Sequence, residues 1–129
     1  MPGTKRLTDL ETALGHRFRR SELLEQALTH SSASSIDGQP SLERLEFLGD
    51  RVLALAIASE LLRRFPSEEE GALARRLSSL VSGESLVRIA NKLEITNHIR
   101  TDFGVSDGGI PDSVLEDACE ALIGAAYLD

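Results

Sequence analysis

At 129 residues, with 41% hydrophobic and 27% charged side chains, the chain has the size of one globular domain, and its composition excludes a disordered protein. The most apolar stretch, Val52 to Ala58, is broken at Ser59 and Glu60, which excludes a bilayer-spanning helix of about 20 residues, and the polar opening MPGTKRLTDLE excludes a secretory apolar region. A net charge of −7 argues by itself against a nucleic-acid partner, since Lys and Arg are what neutralise phosphates; carboxylates gathered around bound cations would lessen that objection.

Strand periodicity is nearly absent, while helix start and stop signals recur, so the chain reads as an all-α helical bundle. Thr8-Asp9-Leu10-Glu11 has the form of a capping box, and Gly15 is a fitting helix end. Ser21 can cap a second helix reaching about Leu28. Ser31 to Pro40, with Gly38 and Pro40, reads as a loop. A long helix is expected from Ser41 to about Arg64, stopped by Pro66, and Ser67 to Glu70 forms another capping box. That box opens a helix striped with Leu73, Leu77, Leu80 and Val81, ending at Gly83; Leu86, Ile89, Ala90 and Leu93 mark the next. Thr101 to Asp112, with Gly104, Gly108, Gly109 and Pro111, is a loop, and a third capping box, Ser113 to Glu116, starts the last helix. The single cysteine, Cys119, excludes an internal disulfide and fits a reducing, cytoplasmic setting; a small buried apolar role suits it better than a nucleophilic one.

Within the long helix, Glu43, Glu46 and Asp50 fall in one sector of about 60°. Such triplets are usually solvated, but Phe47, Leu48, Val52, Leu53, Leu55 and Ile57 surround these on most other azimuths, so the helix looks central with its acids at a wet end. The last helix repeats the pattern: Asp117 and Glu120 precede the apolar run Ala121 to Ala126. Four carboxylates at the edge of a core need a counter-charge, and no Lys or Arg is spaced to serve all of them. A hard divalent ion, Mg²⁺ or Mn²⁺, fits an all-oxygen donor set; the polar end of a helical bundle is the competing reading. A di-iron bundle fails because His16, His30 and His98 lack a Glu three residues earlier, and a zinc hydrolase fails for want of closely spaced His or Cys ligands.

LERLEFLGDRVL, Leu42 to Leu53, resembles the signature of the ribonuclease III family. Further matches follow in order: LGHRF near the start, QALTHSS at Gln26 to Ser32, EGALARRLSSLV from Glu70, and LEDACEALIGAAYLD at the end. The resemblance implies the family's endonuclease-domain bundle over residues 1–129, without its last helix and without the C-terminal double-stranded-RNA-binding domain. It implies Mg²⁺-dependent cleavage of double-stranded RNA to 5′-phosphate and 3′-hydroxyl ends, in rRNA and mRNA processing, with Mn²⁺ as a substitute ion. It assigns Glu46, Asp50, Asp117 and Glu120 to the metal, with Asp50 and Glu120 as catalytic residues, and places Glu43 and Glu70 on the substrate side. Phe47 matches a position that inserts into the partner of a homodimer, for which core packing is the plain alternative. His30 is expected to make a structural hydrogen bond, and Arg63, Arg64, Arg75, Arg76 and Arg88 are candidates for phosphate contacts. Arg51 departs from the family pattern, which more often has Ser or Ala there. A catalytically silent dimerisation or RNA-binding scaffold is the rival reading, weakened by the retention of every carboxylate.

Overall fold

A computed structural model describes residues 2–104 and 108–129. Seven α-helices lie among them: α1 Pro2–Leu14, α2 Ser21–Ala27, α3 Ser31–Asp37, α4 Glu43–Arg64, α5 Glu70–Leu80, α6 Gly83–Lys92 and α7 Asp112–Leu128. A single 3-10 turn, Ile95–Asn97, follows α6. No strand occurs among the described residues, the one ladder contact being a parallel bridge between Thr29 and Arg100. The all-α expectation holds. Part of the expected Thr101 to Asp112 loop, residues 105–107, lies outside the described residues, and its last residue, Asp112, opens α7.

Alpha-7 is the axis of the domain. Its Val114, Leu115, Ala118, Cys119, Ala121, Leu122, Gly124 and Ala125 are all buried. Leu115, Ala118, Cys119, Ala121, Leu122 and Ala125 share a central core with Leu10, Leu24, Leu28, Leu42, Leu86 and Ile95, to which α3 and α5 contribute no described residue. The long helix α4 makes its most extensive packing against α7 and also meets α5 and α2. Sequence alone makes α4 look enclosed on nearly all sides, but it is not: Phe47, Leu55 and Leu62 are 63%, 71% and 64% exposed. These three residues fall on one side of α4, leaving an open apolar stripe along its length.

The α4–α7 crossing is set by two glycines. A Cβ on Gly49 would sit 1.7 Å from the Glu120 carbonyl oxygen, and one on Gly124 would sit 2.2 Å from that of Leu45. Backbone meets backbone there, so only hydrogen fits on either Cα. The far end of α7 is clasped to the α1–α2 turn by Asp129, whose side chain is 1% exposed. It accepts hydrogen bonds from the backbone N–H of Arg19 (3.0 Å) and Arg20 (2.8 Å) and pairs with His16 Nε2 (2.9 Å).

Several helix starts differ from the sequence reading. Thr8 lies inside α1, which begins at Pro2, a residue suited to a first helical turn. Glu11, instead of reaching back to Thr8, accepts the Phe18 N–H at 2.7 Å and closes the turn into α2. Ser21, Ser67 and Ser113 cap nothing: α2, α5 and α7 start after Arg20, Glu69 and Pro111, none of which makes a side-chain cap. The serine-rich stretch expected to be a loop is the short helix α3, because His30 accepts the Ser32 N–H and supplies the missing cap. Gly83 starts α6 and does not end α5, with Ser82 accepting the Ser85 N–H. Gly15, at φ 72°, ends α1 as expected.

Candidate metal centre

Alpha-4 and α7 bring their acids together from opposite sides of the glycine contact. One carboxylate oxygen each from Glu46, Asp117 and Glu120 lies within 4.8 Å of the others, and all three residues are partly buried. Asp50 joins them through a hydrogen bond with the Glu120 carboxyl, although its own side chain is largely exposed. The two spacings, 46 and 50 on α4 and 117 and 120 on α7, are what put each pair on one helix face.

Burial and mutual repulsion hold protons on this cluster. Desolvation, with the nearby Asp117 charge and a hydrogen bond to it, pushes Glu46 up to about 7. Glu120 is pushed up to about 8 by desolvation and by Asp50, Glu46 and Asp117. Asp117 is also raised, mainly by desolvation, with the hydrogen bond from Glu46 and the charge of His30 opposing. Neighbouring carboxylates that cannot all ionise in the same space either keep protons or gain a cation. None of the ion pairs among the described residues engages Glu46, Asp117 or Glu120. The donor set is all oxygen, with no thiol or imidazole in the group, a set compatible with a hard divalent ion.

Glu43 stands beside the cluster with a different character. Partial burial would raise its carboxyl, but hydrogen bonds from Ser41, its own backbone N–H and Ser31, with the charge of His30, hold it below the ordinary glutamate range. Its charge contributes to raising both Glu46 and Asp117. Ser31, Ser41 and the proximity of His30 had no signal in sequence beyond their position in QALTHSS and before LERLEF. His30 itself has the structural part expected of it: Nδ1 meets Ser32 Oγ at 2.9 Å, and the ring packs 5.8 Å from Phe103.

Glu70 is placed elsewhere in this chain. It is exposed on the first turn of α5 and lines a groove with Ala58, Leu61 and Leu62 of the C-terminal half of α4. Twelve helical residues separate Ala58 from Glu46, about 18 Å along the axis. Phe47 points outward on the open stripe, so core packing does not account for it. The arginine candidates are mostly matched locally: Arg63 and Arg64 with Glu60, Arg76 with Glu68, and Arg88 with Glu84 at 3.8 Å. Cys119 is buried, and desolvation pushes its thiol up to about 11, which leaves it inert.

A family profile described as Ribonuclease-III-like matches residues 20–129. Ribonuclease 3 of Caulobacter vibrioides is 48% identical over 126 residues, covering 94% of this chain and 54% of that protein. Ribonuclease 3 of Bordetella petrii is 47% identical over 125 residues, covering 95% and 48%. The chain thus spans about half the length of the curated relatives it matches. Among solved structures, a nuclease domain of ribonuclease III from Campylobacter jejuni superposes with a TM-score of 0.85 at 38% identity, over 93% of this chain and 83% of that one. That protein is described for structural flexibility in the region involved in its dimer formation.

Proposed function

The chain belongs to the ribonuclease-III-like family, and on that premise we propose that it is a catalytic domain that cleaves double-stranded RNA by metal-assisted phosphodiester hydrolysis, leaving 5′-phosphate and 3′-hydroxyl ends. The observation that carries the reading is the convergence of Glu46, Asp117 and Glu120 within 4.8 Å, with Asp50 hydrogen-bonded to Glu120. Mg²⁺, or Mn²⁺ in its place, held by these four residues would supply an activated water and charge stabilisation at the scissile phosphate. Asp50 and Glu120 are assigned as the catalytic pair. In the ion-free chain at neutral pH Glu120 is mostly protonated and Glu46 about half so, and both release protons when their oxygens become ligands. Glu43, kept ionised by its serines and its own N–H, adds fixed negative charge on the substrate side. Glu70 is assigned to the same substrate-side role, although it lies far from the cluster within one chain.

The open stripe of Phe47, Leu55 and Leu62 supports a homodimer, with Phe47 the anchor, since apolar area of this kind is normally covered. Two copies would then present two centres to one duplex, recognised by A-form shape and backbone, not by base sequence. We place this activity in rRNA and mRNA processing in the cytoplasm. Among the described residues no helix is long and apolar enough to cross a membrane. The test is cleavage of a long RNA duplex with Mg²⁺ by the chain and by Glu120→Ala. Cleavage lost in the variant supports the enzyme; equal, undetectable cleavage in both supports the silent scaffold.

A further inference from the structure

Arg51 is the one charged residue set within the open apolar stripe of α4, between Phe47 and Leu55, and it is fixed in an unusual way. Neighbouring positions i and i+1 on a helix do not face each other, so a contact between Asp50 and Arg51 requires the guanidinium to fold back along the helix. It does so on a shelf built by Phe47. Arg51 Nη1 donates to the Phe47 carbonyl at 3.0 Å, and the guanidinium carbon lies 3.9 Å from the Phe47 ring centroid. From there the same Nη1 meets Asp50 Oδ2 at 3.3 Å. The Asp50 carboxyl also interacts with Glu120, and Asp50 stands outside the group of three acids whose oxygens lie within 4.8 Å.

We propose that Arg51 is a resident counter-cation of Asp50, a positioning residue that holds this acid at the edge of the cluster and sets how tightly the cluster takes a divalent ion. The inference rests on the metal reading above and deepens it. An ion that recruits Asp50 must displace the guanidinium from it or share the carboxylate with it. A unit positive charge ~6 Å from a divalent ion disfavours that ion by about tenfold even in a water-like dielectric. The shelf makes this penalty persistent, because ring and carbonyl together limit the freedom of the arginine to swing away.

The experiment is isothermal titration of Mn²⁺ and of Mg²⁺ into the 129-residue chain, Arg51→Ala and Arg51→Lys at one ionic strength. Arg51→Ala is expected to bind three- to tenfold more tightly, by the Coulomb estimate above. Arg51→Lys keeps the charge but loses the planar fork, and is expected to fall between the two. Because Arg51 is exposed, all three chains are expected to unfold at similar denaturant concentrations. Equal affinities, or weaker binding by Arg51→Ala, overturn the counter-cation role while leaving the metal centre standing. Absence of binding in every chain overturns the metal centre and this inference with it.

Discussion

Replacing Gly49 with alanine adds a single methyl group at the one place where α4 and α7 have no room for it. That carbon would lie 1.7 Å from the Glu120 carbonyl oxygen, 2.6 Å from its carbonyl carbon and 2.9 Å from the Gly124 nitrogen. All three atoms are backbone, so no rotamer change relieves the clash, and the helices must part by roughly 1.5 Å to restore van der Waals contact. Overpacking typically costs ~1–3 kcal/mol, and an unyielding neighbour puts this case at or above the upper end. Alanine's better helix propensity returns about 1 kcal/mol, leaving a net loss of roughly 2–3 kcal/mol. Equilibrium denaturation in urea measures it, with Gly71→Ala as control. Gly71 is on exposed α5, where a Cβ would meet only the flexible end of Arg75 at 3.6 Å, so that variant is expected to be neutral or up to ~1 kcal/mol more stable. The same parting pulls Glu46 from Asp117 and Asp50 from Glu120, so Mn²⁺ binding is expected to collapse in Gly49→Ala alone. Equal stabilities for the two variants, or full ion binding by Gly49→Ala, would refute the claim that this contact sets the register of the acids.

The ion-free chain is expected to lose stability as pH rises from about 4.5 to about 8, because Glu46 and Glu120 keep protons that the unfolded chain has already released. Denaturation midpoints at about pH 5.5 and about pH 8.5 check the slope, which saturating Mn²⁺ is expected to abolish; a flat or rising ion-free profile contradicts it. Glu120→Gln is expected to stabilise the ion-free chain near pH 8 by on the order of 1 kcal/mol while removing the stabilisation by ion. Phe47→Ser is expected to weaken self-association at least thirtyfold in sedimentation without moving the monomer's melting temperature, as a truncated anchor residue would. Unchanged association in that variant removes Phe47 from the interface.

The acid pairs were legible because each depends only on helical spacing: Glu46 with Asp50, and Asp117 with Glu120. That the two pairs share one site was also expected, but the contact that brings them together was not legible. It depends on Gly49 and Gly124, which in sequence are a mid-helix glycine in each of two apolar segments. The helix count was short by α3, whose cap is a histidine outside the usual Ser, Thr, Asp and Asn set. Capping boxes misled in a consistent way. Thr8, Ser67 and Ser113 each have an acid three residues on, but α1, α5 and α7 open at Pro2, Glu70 and Asp112 instead. Glu70 shows the remaining gap: its motif position says nothing of the ~18 Å along α4 that separates it from the cluster.

Asp129 ties the C-terminal turn of α7 to His16, Arg19 and Arg20. At its other end Glu116 lies so close to Gly83 that a Cβ there would be 2.4 Å from its carboxylate. Amides between these anchors, around the buried Ala118 to Leu122, are expected to exchange far more slowly than those of α5, which has no buried residue. Asp117 and Glu120 are therefore expected to ride on a slowly exchanging, buried helix. Fluctuations of the centre enter through the α4 side, where Asp50 is exposed and tethered only by its neighbours.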